Sequence, residues 1–179
     1  ALTETPNTIT RVNGREARRS DMIWAIVNRY HRRQSVKAVA FPIQHLGRVN
    51  AAPSLNVAKV QSEIVGSSLY AALTAFLQSH PDHELDFSPD ELGRVYSLAN
   101  THLTLRWRGL RESFHRITGL KEALRAAAKP GELDELLYYL DKWFTPGGFE
   151  RLQFGLKSHN LNEVSSFLGS LRTVADDYA

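Results

Sequence analysis

Cysteine is absent from this chain of 179 residues, and so are long apolar runs. Without cysteine there is no disulfide framework, no thiolate zinc site and no thiol nucleophile. No apolar run approaches the roughly 18–20 residues that a membrane span needs, so we expect no membrane span. The opening stretch ALTETPNTIT lacks the apolar core of a secretory signal. We therefore expect a protein that stays, or is assembled, inside a cell.

Sequence motifs that carry catalysis are missing as well. No G-x-G-x-x-G, G-x-x-x-x-G-K-[ST], G-x-S-x-G or H-E-x-x-H pattern occurs. The densest group of metal-binding residue types is the loop from His80 to Asp86, HPDHELD. Its Pro81 and the helix start that follows favour a turn between helices, and no further ligand group has a zinc-type spacing. We therefore predict no enzyme activity, no catalytic residues and no cofactor, while metal binding by this loop stays open.

Cationic side chains are concentrated near the start of the chain. Residues 1–50 contain nine Lys or Arg against three Asp or Glu, although the net charge of the whole chain is only +3. Eight of those nine cations are Arg, whose planar guanidinium groups bind phosphate oxygens in a bidentate manner. The uneven distribution predicts that the N-terminal part meets a polyanion and that the mildly acidic remainder meets protein.

The basic segment is predicted to contain a helix over residues 20–34. Ser20 is a suitable N-cap, and apolar residues recur after it at i, i+3, i+4 and i+7. Residues 1–19 are expected to form an extended arm that becomes ordered only on a ligand. A solvated amphipathic helix is the alternative interpretation of such a charge run. The predicted nucleic-acid-binding residues here are Arg11, Arg15, Arg18, Arg19, Arg29, Arg32, Arg33, Lys37 and Arg48.

A second basic stripe is predicted on the long helix that begins near Ser88. Arg94, Arg108, Arg111 and His115 would share one face, together with two threonines and opposite the apolar stripe. This face would extend the predicted phosphate-binding surface, so the three arginines join the predicted nucleic-acid-binding residues. An ordinary solvated helix face explains the pattern equally well.

Helical periodicity dominates the rest of the sequence, and no segment shows convincing strand alternation. The expected fold is an all-α helical bundle with an extended basic N-terminal arm and helix. We expect residues 1–53 to form the basic arm, helix and connector, and residues 54–179 to form the bundle and assembly domain. Helices are predicted over residues 55–79, 88–118, 120–128, 131–144, 149–158 and from residue 160 onward, with Gly119 ending the longest one.

Aromatic side chains crowd around the break T-P-G-G at residues 145–148. The leucines of the preceding helix already fill one stripe, so bulky side chains are left over beside it. Large exposed apolar surface usually marks an interface. The predicted subunit-interface residues are Tyr138, Tyr139, Trp143 and Phe149. The alternative is that the helix over residues 149–158 folds back and covers these rings within one chain.

The order of the segments suggests a family. The basic stretch RVNGREARRSDMIWAIVNRY, the connector FPIQHLGRVNAAPSLN, the mid-chain GRVYSLANTHLTLRWRGL and the C-terminal NLNEVSSFLGSLR resemble, in layout, the major capsid proteins of filamentous and rod-shaped archaeal DNA viruses. The resemblance implies a helical virion whose paired subunits wrap double-stranded DNA, held in an A-like form, with basic N-terminal helices against the phosphates. The longer, more aromatic body and the fewer cations of the arm depart from that pattern. Plant-virus rod coat proteins, which enclose single-stranded RNA, are the nearest alternative.

Charge pattern and resemblance together predict a non-enzymatic structural nucleoprotein of capsid type. It would wrap nucleic acid without sequence preference and polymerise into a helical assembly. The expected partners are nucleic acid (double-stranded DNA favoured over RNA) and a second copy or a paralogous subunit. The expected location is a virion assembled in the host cytoplasm. The alternative is a helical regulatory or effector protein whose basic helix docks on an acidic protein, and a metal enzyme using the loop from His80 to Asp86 is the third hypothesis.

Overall fold

The computed structural model describes residues 11–12, 15–16, 20–37, 57–127, 129, 131–143, 146–156 and 158–177. Two short strands, β1 (Arg11–Val12) and β2 (Arg15–Glu16), pair in antiparallel fashion. The helices of the described part are α1 (Ser20–Ile26), α2 (Val57–Gln78), α3 (Pro89–Ala127), α4 (Asp134–Trp143), α5 (Pro146–Gly155) and α6 (Leu161–Asp177). The body is therefore all-helical, as the sequence predicts. No helix within the described residues is both long and apolar enough to cross a membrane.

Much of the N-terminal part lies outside the described residues. Of the predicted arm, residues 1–19, the structure describes only β1 and β2, and β1 contacts α6. The predicted boundary between residues 53 and 54 also lies outside the described part. That the arm becomes ordered on a ligand therefore stays a prediction.

The predicted helix over residues 20–34 ends early and changes type. After α1 the backbone widens into a π-helical turn, Val27–His31, closed by the N–H of Arg32 donating to the carbonyl of Val27 over 3.2 Å. Arg33 follows with a φ of 53°, in the left-handed region that interrupts a helix. The apolar face of this segment is buried as predicted, and its buried residues are Ile23, Ile26, Val27 and Tyr30.

The core lies where α2 packs against α3, with α1 and α6 also contributing. α2 covers nearly all of the predicted residues 55–79. The largest fully buried apolar side chains are Ile23, Leu69, Leu73, Leu77, Leu85, Val95, Val164, Phe167 and Leu171. The N-terminal half of α3 packs in this core, whereas its C-terminal half contacts α4.

The predicted end of the longest helix at Gly119 is wrong. α3 runs without interruption from Pro89 to Ala127, so the separate helix predicted over residues 120–128 is its last part. A glycine inside a helix costs only about 1 kcal/mol relative to alanine. No proline stands beside Gly119, and the hydroxyl of the adjacent Thr118 donates to the carbonyl of Phe114 within the helix over 3.0 Å. At 39 residues α3 is about 58 Å long, at about 1.5 Å per residue. It therefore extends well beyond α2.

Capping boxes start two of the helices. The N–H of Ser88 donates to the Glu91 carboxylate over 2.8 Å, and the N–H of Glu91 donates back to the Ser88 hydroxyl over 3.4 Å. This pair is the one that the sequence predicts for α3. At α6 the N–H of Glu163 donates to the side chain of Asn160 over 2.8 Å. The hydrogen bonds from Ser88 lower the pKa of Glu91 below its usual value.

An ion-pair group joins α4 to the C-terminal half of α3. Asp141 accepts from Arg125 through both carboxylate oxygens at 2.6 Å, and the ammonium of the buried Lys121 lies 2.6 Å from the same carboxylate. These hydrogen bonds lower the pKa of Asp141. α5 begins at Pro146, three residues before its predicted start, because proline suits the first turn of a helix.

Candidate functional site

The cations predicted in the N-terminal segment are only partly described. Arg18, Arg19 and Arg48 lie outside the described residues, and of Arg11 and Arg15 the structure describes the strand backbone. The side chains of the remaining four are described, and they differ in exposure. Arg29 and Lys37 are exposed, as is Arg33, while Arg32 is half-buried.

Arg33 does not extend freely into solvent. Its guanidinium donates to the carbonyl of Asp82 over 2.7 Å and lies 3.4 Å from the carboxylate of Glu84. Both partners belong to the loop between α2 and α3. Arg33 therefore fastens the end of the first helical segment to the body, a contact across 49 residues that no local sequence signal reveals.

A row of exposed arginines follows the outer side of α3. Arg94, Arg108 and Arg111, all predicted from the sequence, are exposed, and so is Arg116, which sequence reasoning missed. We call these four residues the α3 basic face. At about 100° per residue, Arg94, Arg108 and Arg116 fall within an arc of about 80°, and Arg111 flanks it. From first to last, the face extends about 33 Å along the helix.

The four guanidinium groups have no ion-pair partner among the residues that the structure describes. Three exposed carboxylates lie on the same side of the helix: that of Glu112 falls within the face, and those of Asp90 and Glu122 lie beyond its two ends. None of them forms an ion pair with the four arginines. Other cations of the described part do form ion pairs. Lys121 and Arg125 hold Asp141, and Arg172 holds Asp86. Between Arg94 and Arg116, the α3 basic face therefore carries four exposed arginines and one exposed carboxylate, a net positive charge.

The two threonines of this face are not free hydrogen-bond donors. The hydroxyl of Thr101 donates to the carbonyl of Ser97 over 3.0 Å, and that of Thr104 donates to the carbonyl of Asn100 over 2.9 Å. Both threonines are exposed, but each hydroxyl hydrogen is used within the helix. On this face, the arginines are therefore the side chains with hydrogen-bond donors left over.

The four predicted interface residues fall into three groups. Tyr138 on α4 is 60% exposed, and of Tyr139 and Trp143 the structure describes only the helix backbone. Phe149 is half-buried inside the chain: its ring centroid lies 5.0 Å from that of Trp107 and 4.5 Å from that of Phe114, both on α3. The ring of Phe149 is therefore covered by α3 of the same chain, as in the alternative in which the helix over residues 149–158 folds back.

A buried polar group that the sequence did not single out connects three helices. His159 Nε2 lies 2.7 Å from the hydroxyl oxygen of Ser68 on α2, and His159 Nδ1 lies 3.5 Å from the carboxylate of Glu163 on α6. From α3, the side-chain amide of Asn100 donates to the carbonyl of His159 over 3.3 Å. Burial lowers the pKa of His159, and the nearby Glu163 partly opposes that shift.

The order of serine, histidine and carboxylate is the one that hydrolases use, but its placement differs from theirs. Ser68 is fully buried in the middle of α2, and its hydroxyl donates to the carbonyl of Val65 over 2.8 Å. No substrate can reach that oxygen in this conformation. The arrangement therefore serves to hold α2, α3 and α6 together.

The loop from His80 to Asp86 uses its imidazoles for packing. His80 stacks on Phe76 at 4.2 Å between ring centroids, and His83 Nδ1 accepts the N–H of Leu85 over 2.9 Å. Across the described ranges, no three His, Asp or Glu side chains converge as a metal site would require.

Comparison with protein families, curated proteins and solved structures found no match for this chain.

Proposed function

We propose that this chain is a non-enzymatic structural nucleoprotein that binds phosphates, without sequence preference, through the α3 basic face. One observation carries the proposal. Four exposed arginines lie on one helix face without a carboxylate partner among the described residues. Between Arg94 and Arg116 the face carries four arginines and one carboxylate, whereas an ordinary solvated face has both signs in similar number, because like charges at neighbouring helix positions repel. A polyanion would offset that repulsion.

The dimensions of the face suit a nucleic acid. Its length of about 33 Å is close to one turn of a DNA duplex, which is about 34–36 Å. Guanidinium groups bind phosphate oxygens in a bidentate manner, and each contact releases condensed counterions. The exposed Arg29 and Lys37 of the N-terminal segment could add contacts. Such binding reads no base edges, so it has no sequence preference.

An assembly role is proposed from α4. None of the described side chains of this helix is buried, and Leu136 and Tyr138 are 46% and 60% exposed. Acidic residues Asp134 and Glu135 are exposed beside them. A second copy of the chain would cover this apolar surface, in line with the capsid-type polymer that the sequence layout suggests. In that polymer, α3 would face the nucleic acid and α4 a neighbouring subunit.

Charge-matched variants test the binding proposal. We expect Arg108→Gln to weaken binding to a labelled duplex of about 30 base pairs, equally for unrelated sequences. Arg125→Gln removes the same charge from a residue paired with Asp141, and it should leave the affinity nearly unchanged. Equal loss in both variants would contradict a specific role for the α3 basic face. Equally tight binding of poly-glutamate would favour the acidic-protein alternative.

A further inference from the structure

A small pocket lies between the first helical segment and α2. Its volume is about 140 Å³, and Met22, Ala25 and Ile26 of α1 form an apolar wall. The aromatic rings of Tyr30 and Tyr70 also line it. A cavity of about 150 Å³ accommodates a benzene molecule. The pocket has nearly this volume, so its size is that of about one six-membered ring.

A buried hydroxyl without a partner lies in the lining of this pocket. The Oγ1 atom of Thr74 is inaccessible to solvent and forms no hydrogen bond to any described residue. The other threonines in the described helices all donate to the carbonyl four residues earlier: Thr101, Thr104, Thr118 and Thr173. An unsatisfied buried hydroxyl is costly. Because Thr74 is part of the lining, a rotation about its Cα–Cβ bond would turn this hydroxyl toward an acceptor inside the pocket.

A cation stands at the open side of the pocket. Arg29 is exposed, and its guanidinium carbon lies 5.5 Å from the centroid of the Tyr30 ring. No described carboxylate forms an ion pair with Arg29. Gln78, also exposed, adds an amide to the same lining. The pocket therefore combines an apolar body with a positive rim.

The backbone that carries Arg29 and Tyr30 is itself unusual. Both residues belong to the π-helical turn, a geometry that is rare and often found at functional sites. The turn is held in place because the hydroxyl of Tyr30 donates to the carbonyl of Leu77 over 3.3 Å. This hydrogen bond fixes the aromatic wall against α2, so the pocket is formed in advance of any ligand.

We propose that this pocket binds a small organic anion. The ligand has a flat body of about one ring, an acidic group that meets Arg29, and a hydrogen-bond acceptor that meets the Thr74 hydroxyl. Such a ligand satisfies the unpaired hydroxyl and the unpaired guanidinium at the same time. This site is separate from the α3 basic face, and its existence does not depend on nucleic-acid binding.

Three related probes test each end of the proposed ligand. We would titrate the full chain with 4-hydroxybenzoate, with neutral 4-hydroxybenzamide and with benzoate, and follow backbone amide shifts by NMR. We expect 4-hydroxybenzoate to give saturable shifts in α1 and in the Tyr70–Gln78 part of α2, and to bind most tightly. If none of the three probes gives saturable shifts, or if the amide binds as tightly as the acid, the proposal is overturned.

Variants assign the contacts. Arg29→Gln should weaken the binding of 4-hydroxybenzoate about 2- to 5-fold and leave that of 4-hydroxybenzamide unchanged, because only the acid meets the cation. Thr74→Val keeps the side-chain shape. It should weaken the binding of 4-hydroxybenzoate but not that of benzoate, because benzoate has no hydroxyl oxygen to accept from Thr74. Arg106→Gln, an exposed arginine on α3, is the charge-matched control and should change neither probe. Equal effects of Arg29→Gln and Arg106→Gln would refute the assigned site.

Discussion

The Nε2 atom of His159 lies 2.7 Å from the hydroxyl oxygen of Ser68, deep between α6 and α2. The imidazole is nearly inaccessible to solvent, and its second nitrogen faces Glu163 at 3.5 Å. Because the carbonyl of His159 also accepts from Asn100, one residue ties three helices together at the point where α6 begins. The contact between these three helices therefore contains a buried group that can bind a proton.

Stability should depend on pH through His159. Burial lowers the pKa of His159 below the ordinary histidine value of about 6.5, so the folded state favours the neutral imidazole and the unfolded state binds more protons. The contribution of the neutral imidazole to the free energy of unfolding is complete above about pH 6.5 and is lost as the pH falls below that value. Over this range the free energy of unfolding should change by at most about 1.4 kcal/mol per pH unit. Urea unfolding between about pH 7.5 and 5 should show this loss, and His159→Gln should remove it. As a control, His115→Gln at an exposed position should show the same pH dependence of stability as the parent protein. A parent protein whose free energy of unfolding does not change over this pH range would contradict the role of His159.

The capping box of α3 makes a separate stability prediction. Ser88→Ala removes the hydroxyl that accepts the N–H of Glu91, and it should lower the free energy of unfolding by about 1 kcal/mol. Ser97→Ala, an exposed serine inside the same helix, should have little effect or stabilise slightly, since alanine is the better helix former. Urea denaturation of both variants makes the comparison. Equal urea midpoints for Ser88→Ala and Ser97→Ala would show that the capping box does not contribute to stability.

Self-association should depend on the exposed surface of α4. Leu136→Ser replaces a side chain that is 46% exposed, so the fold should be retained while the contact with a second copy weakens. Leu105→Ser on α3, where the leucine is 52% exposed, is the matched control. Sedimentation velocity should show smaller species for Leu136→Ser alone. A parent that is monomeric at every concentration would contradict the assembly proposal.

The helix boundaries show which structural features local sequence signals can predict. The start of α3 was predictable because Ser88 and Glu91 satisfy each other's backbone groups within one turn. The predicted helix end at Gly119 was wrong because the low helix propensity of glycine is only a small local cost. The contacts of α3 with α4 outweigh this cost. The π-helical turn was missed because apolar spacing does not distinguish it from an α-helix over five residues.

The candidate site was predictable only in part for a similar reason. Helical spacing alone places Arg94, Arg108 and Arg111 on one face of α3. Which cations are neutralised depends on partners distant in sequence, as when Arg33 reaches Glu84 or Arg172 reaches Asp86. The buried link through His159 joins residues 91 positions apart, and the sequence carries no signal for it. The count of charges in the sequence therefore placed most of the predicted phosphate-binding residues in the N-terminal segment and only three on α3.

The salt dependence of duplex binding tests the α3 basic face most directly. We would measure the dissociation constant between about 50 and 200 mM KCl for the parent and for a variant with Gln at residues 94, 108, 111 and 116. Each phosphate contact contributes about −0.9 to the slope of log K against log salt concentration, so losing four contacts should flatten the slope by about 3 to 4. The control Arg125→Gln/Arg172→Gln, at two ion-paired positions, should change it by less than about 1. A quadruple variant that keeps the parent slope would contradict phosphate binding by this face.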